Sequence, residues 1–209
     1  MKIAVICSNG RVGSQIVKKA QAKGIEVTGF ARGENKSGAK TYVEKDLFSI
    51  TSKDLEGYDV VVDAFGAWNE KTIPGIPAAV EHLLKVLKGS KSRLMVVGGA
   101  GSLYVNKEHT ITVDMGPDFP DAFKPLSYNH SLALKALRES KGVSWTYISP
   151  AGDFQAEGEE TGEYQLGGEE LLLNSKGESA ISYADYAIGF VDEIISGTHL
   201  NQRISLVSK

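Results

Sequence analysis

Short, continuous apolar segments alternate with amphipathic helical patterns along most of the chain. The predicted strands lie at residues 3–6, 26–31, 41–43, within 58–66, and at 93–97, 144–149 and 203–207. The predicted helices lie at residues 12–22, 76–87, 127–140 and 183–195. Strands that are apolar along their whole length are typical of a parallel sheet with helices on both faces. The alternation therefore predicts a single doubly wound α/β domain, in which ligands bind beyond the carboxyl ends of the strands.

Composition narrows the class of protein and its location. The 209 residues carry a formal charge of −3, which offers no basic surface to nucleic acid or to an anionic membrane. The single cysteine, Cys7, excludes an intramolecular disulfide and a cysteine-rich metal site, and it fits a reducing compartment. No apolar stretch approaches the roughly 20 residues that span a bilayer, and the start of the chain lacks the apolar region of a signal peptide. We therefore expect a cytoplasmic protein without nucleic-acid or membrane partners, whose oligomeric state the sequence does not predict.

The N-terminal stretch KIAVICSNGRVGSQIV joins a strand to a helix through a polar turn that contains glycine. Such a turn is typical of a Rossmann fold, where it holds a dinucleotide pyrophosphate at the N-terminus of the helix. Gly10 would let the backbone approach the pyrophosphate, and Gly13 would let the helix pack closely on the strand. The simpler interpretation is a strand-to-helix turn in which the glycines are incidental.

Cys7 occupies the place where such turns usually have their first glycine. A side chain there restricts the backbone, so we expect a Cys7→Gly variant to bind the cofactor several-fold more tightly than the wild-type protein. The neighbouring helix N-terminus could also lower the pKa of the Cys7 thiol and make it reactive, although the end of a first strand is usually well buried.

The end of the second predicted strand indicates which cofactor is preferred. Arg32 stands where NAD-specific sites usually have an acid for the ribose diol, and a guanidinium there can pair with the 2′-phosphate of NADP. NADP is therefore favoured, while NAD remains open if Arg32 is only a solvated charge and Glu34 takes the diol. Asp46, after the third strand, would accept a hydrogen bond from the adenine amino group or would be a surface turn residue.

The expected cofactor-binding residues share a place at the carboxyl ends of the strands. They are Ser8, Asn9, Gly10, Arg11, Val12, Gly13, Arg32, Asp46, Leu47, Ala64, Phe65, Gly66, Gly98, Gly99 and Pro150.

The catalytic candidates are Ser102, which follows the glycine turn at 98–101, and His130, which the family resemblance given below implies because it lies on the third predicted helix. Each also has an ordinary interpretation, as a turn-capping serine and an exposed histidine. Tyr128 lies two residues from His130, so both cannot point into one site. Phe65 and Trp68 would wall the pocket or be simple packing residues.

The Tyr-x-x-x-Lys pair of ordinary short-chain dehydrogenases is absent. None of the eight tyrosines has a lysine four positions later, which argues against alcohol oxidation or sugar epimerisation by the usual route. The four histidines show no metal-binding spacing. Hydride transfer between two stacked rings needs no Tyr-x-x-x-Lys pair, because the protein mainly has to hold the rings at reacting distance.

Residues 152–182 interrupt the alternation of strands and helices. The segment is rich in glycine and glutamate and contains short strand-like pieces. It is either a small cap over the substrate site or a peripheral β-hairpin that does not reach the ligand.

Several motifs resemble those of an atypical short-chain dehydrogenase/reductase group, the NADH-flavin reductase-like and NAD(P)-binding epimerase-like proteins. They are ICSNGRVGSQIV, KDLFS, VVDAFG, VVGGAGSL, ISPAGDF and TGEYQLGGEELL, in the same order and at similar spacing. The run NHSLALKALRES is similar to a helix of biliverdin reductase B, a flavin reductase of the same group. The resemblance covers nearly the whole chain and implies an NADP-binding Rossmann fold with hydride transfer to a flat acceptor such as a flavin. Members usually read G-A-T-G-R-V-G where this chain reads C-S-N-G-R-V-G.

The leading functional hypothesis is therefore an NADPH-dependent reductase of a small-molecule acceptor, either a flavin or a similar conjugated compound. A second hypothesis is a sensor that binds NADP without turnover, which the missing proton-donor pair permits. An NAD(P)-dependent epimerase is a weaker third.

Overall fold

The computed structural model describes residues 1–209 and contains ten strands and four α-helices. The strands are β1 (Lys2–Ile6), β2 (Glu26–Ala31), β3 (Thr41–Glu44), β4 (Val60–Asp63), β5 (Arg93–Val97), β6 (Trp145–Ser149), β7 (Asp153–Gln155), β8 (Tyr164–Gly167), β9 (Ala180–Ser182) and β10 (Gln202–Ser208). The α-helices are α1 (Arg11–Ala22), α2 (Gly75–Val86), α3 (Lys124–Glu139) and α4 (Tyr183–Ser196). Short 3-10 helices lie at Leu47–Ser49, Ser52–Leu55, Val113–Met115 and Asp121–Phe123.

Eight strands form one sheet in the order β3-β2-β1-β4-β5-β6-β10-β8. All neighbours are parallel except β8, which pairs antiparallel with β10 at one edge. The strand order reverses direction at β1 and β4, which is where ligands bind in doubly wound folds. The predicted doubly wound α/β fold is confirmed.

Two apolar layers cover the faces of the sheet. Ile3 and Val5 of β1 point into the layer formed with α1 and α4, whereas Ala4 and Ile6 point into the layer formed with α2 and α3. This alternation follows from the two-residue period of a strand. It explains why the central strands are apolar throughout, because both of their faces are buried. No helix of the structure has the length and apolar character needed to cross a membrane.

The largest error in the predicted boundaries is at α3, which begins at Lys124, three residues before the predicted start. Pro125 lies in its first turn, where a missing amide hydrogen costs nothing because that amide has no partner within the helix.

The segment 152–182 is not a hairpin, so that interpretation is wrong. Its strand β8 extends the main sheet, while β7 and β9 pair in parallel as a separate two-stranded sheet. The buried carboxylate of Asp185 holds the turn before β8, accepting hydrogen bonds from the backbone amides of Thr161 and Gly162 and from the Thr161 hydroxyl. The segment is therefore built into the domain.

The start of α1 lies directly against the turn that follows β1. A Cβ atom at Gly13 would be 2.6 Å from the carbonyl oxygen of Cys7 and 3.1 Å from Cα of Ser8. Both are backbone atoms that cannot rotate away. The close approach of helix and turn therefore requires glycine at this position.

We expect Gly13→Ala to lower the free energy of unfolding by about 2 kcal/mol, because overpacking against backbone outweighs the gain of roughly 1 kcal/mol that alanine brings to a helix. Urea unfolding of the purified variant measures this difference. Gly168→Ala is the matched control, since a Cβ there would meet no atom within 4 Å. Equal stability of Gly13→Ala and the wild-type protein would contradict the packing argument.

Candidate dinucleotide-binding cleft

A cleft of about 1030 Å³ opens at the carboxyl edge of the sheet, over the ends of β1, β2, β4 and β5. Many of the residues expected to bind cofactor line it together. They are Asn9, Gly10, Arg11, Val12, Arg32, Asp46, Leu47, Ala64, Phe65, Gly66 and Gly98. The fold thus brings into one cleft residues that are up to 89 positions apart, from Asn9 to Gly98.

The N-terminus of α1 is open at the floor of the cleft. The backbone amides of Arg11, Val12 and Gly13 donate to no acceptor within the chain. Gly10, the N-cap residue, provides no capping side chain, and the first turn contains no acidic residue. Free amides and the positive end of the helix dipole form a site suited to an anion such as a pyrophosphate. The residues present therefore fit a dinucleotide.

Cys7 adopts a left-handed backbone conformation with φ of 59°. Its carbonyl oxygen accepts a hydrogen bond of 2.9 Å from the amide of Gly10, which closes the turn. Left-handed geometry is strained for a residue with a side chain and explains why glycine is usual here. The hydrogen bond that closes the turn lies within the chain itself, so we expect the strain to be mainly a cost of folding. The effect of Cys7 on cofactor affinity stays a prediction, which the Cys7→Gly variant tests.

Burial, reinforced by the nearby Asp63 carboxylate, raises the pKa of the Cys7 thiol to about 12. The thiol is therefore protonated and unreactive at neutral pH. Desolvation and the Asp63 carboxylate both oppose the acidification that a helix N-terminus could cause, so the surroundings of Cys7 argue against a reactive thiol.

Asp63 is a buried acid that the sequence reasoning did not select. It ends β4 and accepts a hydrogen bond of 3.0 Å from the amide of Phe65, which shapes the loop lining the cleft. Burial raises the pKa of its carboxyl group to about 7. The available signal was an acid at the end of an otherwise wholly apolar strand, VVVD.

Arg32 and Asp46 lie together at the β2 side of the cleft. The Arg32 side chain is 83% exposed, and its Nε lies 3.8 Å from Oδ2 of Asp46. Oδ1 of Asp46 accepts from the amide of Phe48 and so caps the 3-10 helix Leu47–Ser49. Glu34, the alternative partner for a ribose diol, does not line the cleft. The geometry leaves the Arg32 guanidinium free to meet a phosphate.

Aromatic side chains line other parts of the cleft. Phe48 and Phe65 meet edge to face at 6.4 Å between ring centroids. Phe154, from β7, lies 4.1 Å from Tyr183, measured between ring centroids. Neither Phe154 nor Tyr183 was selected from the sequence, because only the folded chain brings β7 and the start of α4 to the cleft. Trp68 also lines the cleft and is 71% exposed.

His130 lines the cleft from α3, and its ring packs on Gly99, where a Cβ would be 2.8 Å from Cγ of the imidazole. Nδ1 lies 3.4 Å from the hydroxyl oxygen of Tyr147, which also accepts a hydrogen bond from the Gly99 amide. Desolvation lowers the pKa of His130 to about 4. The imidazole is therefore neutral at pH 7 and can form hydrogen bonds but does not carry a positive charge.

Ser102, the other catalytic candidate, is not brought to the cleft. Its hydroxyl and carbonyl oxygens each accept a hydrogen bond of 2.9 Å from Nη1 of the buried Arg203. The expectation that Ser102 faces the acceptor is corrected accordingly, because Arg203 holds it at the edge of β10.

Four expected cofactor-binding residues also lie outside the cleft lining: Ser8, Gly13, Gly99 and Pro150. The Ser8 side chain is buried towards β2, where a Cβ at Gly29 would be 2.7 Å from its Oγ. Gly13 and Gly99 lie under the Cys7 carbonyl and the His130 ring, so both shape the cleft from below. Pro150 is buried after β6, and Tyr128 is mostly exposed.

Known proteins similar to this chain share its whole length. The profile of an NAD(P)H-binding family matches residues 8–193. The protein YwnB of Bacillus subtilis (strain 168), which is uncharacterized, is 40% identical over 212 residues that cover 100% of this chain and 99% of YwnB. The crystal structure of SP1627 from Streptococcus pneumoniae TIGR4, named a "putative NADH-flavin reductase", is 48% identical and covers 100% of both chains, with a TM-score of 0.97. The crystal structure of a protein from Bacteroides thetaiotaomicron, named a "putative epimerase", is 28% identical and covers 99% of this chain and 96% of its own, with a TM-score of 0.83.

The family profile covers most of the chain, including the turn after β1, the loop after β4 and the helix α3 that together form the cleft. The match to YwnB extends over the full length of the chain as well. The chain belongs to the NAD(P)H-binding family.

Proposed function

We propose that the protein is an NADPH-dependent reductase that passes hydride to a flavin or a similar flat, conjugated acceptor. The observation that carries this proposal is the arrangement of the cleft. The free amides at the N-terminus of α1 lie beyond the end of β1. On one side the exposed Arg32 follows the neighbouring strand β2, and on the other side His130 of α3, Phe154 and Tyr183 line the cleft. The name given to SP1627 supports flavin reduction, with NADH as the cofactor that it prints.

The choice of NADP rests on Arg32. Its guanidinium is exposed and has only one acidic neighbour, at 3.8 Å, so it is available for a phosphate on the adenosine ribose. The pyrophosphate would take the free amides at the start of α1. The two carboxylate oxygens of Asp46 already contact the Phe48 amide and the Arg32 guanidinium. We therefore assign Asp46 to orienting the guanidinium rather than to binding the adenine.

The acceptor would bind between aromatic residues at the other end of the cleft. Phe154 and Tyr183 offer aromatic faces there on which a flat ring can stack. Phe65 packs against Phe48 of the 3-10 helix that Asp46 caps, so it lies towards the Arg32 side. Bound NADPH would supply the hydride. The protein's own contribution is to hold the rings and exclude water.

His130 is the single group among the catalytic candidates that reaches the cleft. As a neutral imidazole it would orient the acceptor by a hydrogen bond, and solvent would deliver the proton that flavin reduction requires. With no Tyr-x-x-x-Lys pair in the chain, this chemistry suits the site better than carbonyl reduction.

A sensor that binds NADP without turnover is the second candidate. The low pKa of His130 favours it, because the imidazole carries no excess proton at pH 7, and burial raises the pKa of Tyr183, the phenol of the cleft lining, which makes it a weaker proton donor. An epimerase has no comparable support, since it needs an acid–base residue to move a proton or hydride at a sugar carbon.

The purified protein should oxidise NADPH when FMN, FAD or riboflavin is supplied. The decrease in absorbance of NADPH is followed with and without each flavin, against a control that lacks the enzyme. If NADPH binds in a calorimetric titration but no flavin or quinone raises its consumption, the sensor hypothesis replaces the reductase.

Arg32→Ala should weaken NADPH binding roughly 10-fold or more and leave NADH binding nearly unchanged, because a charge-assisted guanidinium–phosphate contact contributes about 1.5–3 kcal/mol. Isothermal titration with both cofactors measures the two affinities. Lys36→Ala, which removes another exposed cation of the same loop, is the matched control. Equal losses for NADPH and NADH would show that Arg32 does not select the cofactor.

Cys7→Gly should raise the free energy of unfolding by about 0.5–1 kcal/mol, since glycine relieves the left-handed strain but loses more entropy on folding. The same variant should bind NADPH within about twofold of the wild-type protein, if the hydrogen bond from the Gly10 amide to the carbonyl oxygen at position 7 holds the turn in both proteins. Cys7→Ala keeps a Cβ and should show no gain in the free energy of unfolding. Affinity that rises several-fold in Cys7→Gly would restore the view that Cys7 opposes cofactor binding.

A further inference from the structure

One side chain joins the turn after β1 to the loop after β2. The amide nitrogen of Asn9 donates to the carbonyl oxygen of Glu34 at 2.8 Å and to that of Arg32 at 3.3 Å. The amide oxygen of Asn9 accepts from the backbone amide of Lys36 at 2.8 Å. Both ends of this carboxamide are therefore used within residues 32–36.

Tyr42 of β3 holds the same loop from the other side. Its hydroxyl group lies 2.7 Å from the carbonyl oxygen of Gly33 and 3.1 Å from that of Ala31, and it accepts a hydrogen bond of 3.1 Å from Asn9. Asn9 and Tyr42 thus form one polar clamp across three elements. Gly33, which has a φ of 69°, makes the sharp turn inside it.

Apolar packing does not hold this loop, because all residues from 32 to 36 are exposed. The Arg32 side chain has only its loose contact with Asp46 to orient it. The position of the guanidinium therefore depends on the backbone that the clamp fixes.

We propose that Asn9 is a specificity-determining positioning residue, whose carboxamide preforms the 32–36 loop so that Arg32 meets the 2′-phosphate of NADP. The inference rests on the NADP preference proposed above. Preforming the loop removes the ordering cost that binding would otherwise pay. Asn9 acts here through Arg32 and has no need to touch the cofactor itself.

The first test uses the protein without cofactor. The backbone amide of Lys36 donates to Asn9, so its hydrogen exchange should be faster in Asn9→Ala than in the wild-type protein. Asn35→Ala is the matched control, because the Asn35 side chain bonds only to Ser37 and Ala39 in the distal half of the loop. Unchanged exchange at Lys36 in Asn9→Ala would overturn the clamp.

The second test measures the ratio of NADPH to NADH affinity by isothermal titration. Asn9→Ala should lower this ratio several-fold, approaching the roughly 10-fold loss expected for Arg32→Ala. The double variant Asn9→Ala/Arg32→Ala should show little further loss, because the two residues act through one contact. Asn35→Ala should keep the wild-type ratio.

A purely structural role for Asn9 would lower the melting temperature and weaken both cofactors equally, and that result would overturn the inference. An equal drop of the ratio of NADPH to NADH affinity in Asn35→Ala, or a wild-type protein without preference for NADPH, would overturn it as well.

If Asn9→Ala does not fold, Tyr42→Phe decides, since it removes the hydroxyl group of the clamp and keeps the ring. The reductase proposal fails separately, if neither cofactor is oxidised with any flavin.

Discussion

The contact between α1 and the carbonyl oxygen of Cys7 is the constraint on which the site depends. With no side chain at Gly13, the helix comes close enough for its first amides to open into the cleft. The same turn forces Cys7 into a left-handed conformation, which the chain tolerates although it has a side chain there. The strain of one residue is thus accepted so that a helix end can face a ligand.

The two ends of the cleft are built from different physical interactions. At the β2 end, exposed polar groups set the geometry, and the loop depends on hydrogen bonds from Asn9 and Tyr42. At the other end, aromatic rings and the partly buried His130 provide apolar walls. A charged ligand group needs exposed polar partners, whereas a flat ring system needs apolar walls. The arrangement is coherent with a dinucleotide and a conjugated acceptor sharing one cleft.

Several site residues were predictable from the sequence because their signal is local. Gly10, Gly13 and Arg32 stand at fixed distances from strand ends, and the backbone geometry of a strand–turn–helix unit requires them there. Ser102 shows the limit of this reasoning. Its position after a glycine turn resembles that of a catalytic residue, but a buried arginine from β10, 101 positions away, takes up its hydroxyl group. His130 shows another limit, since only its surroundings make it neutral.

The sequence by itself determined the alternation of strands and helices outside residues 152–182, the fold class and the glycine turn after β1, because these follow from short-range patterns of apolar residues and glycine. Only the tertiary structure decided where residues 152–182 lie, because β8 joins the sheet through backbone hydrogen bonds to β10, which no side-chain pattern reveals. It also decided that Phe154 and Tyr183 share the cleft with His130. Contacts between residues distant in the chain depend on packing and burial, and a linear pattern carries no record of either.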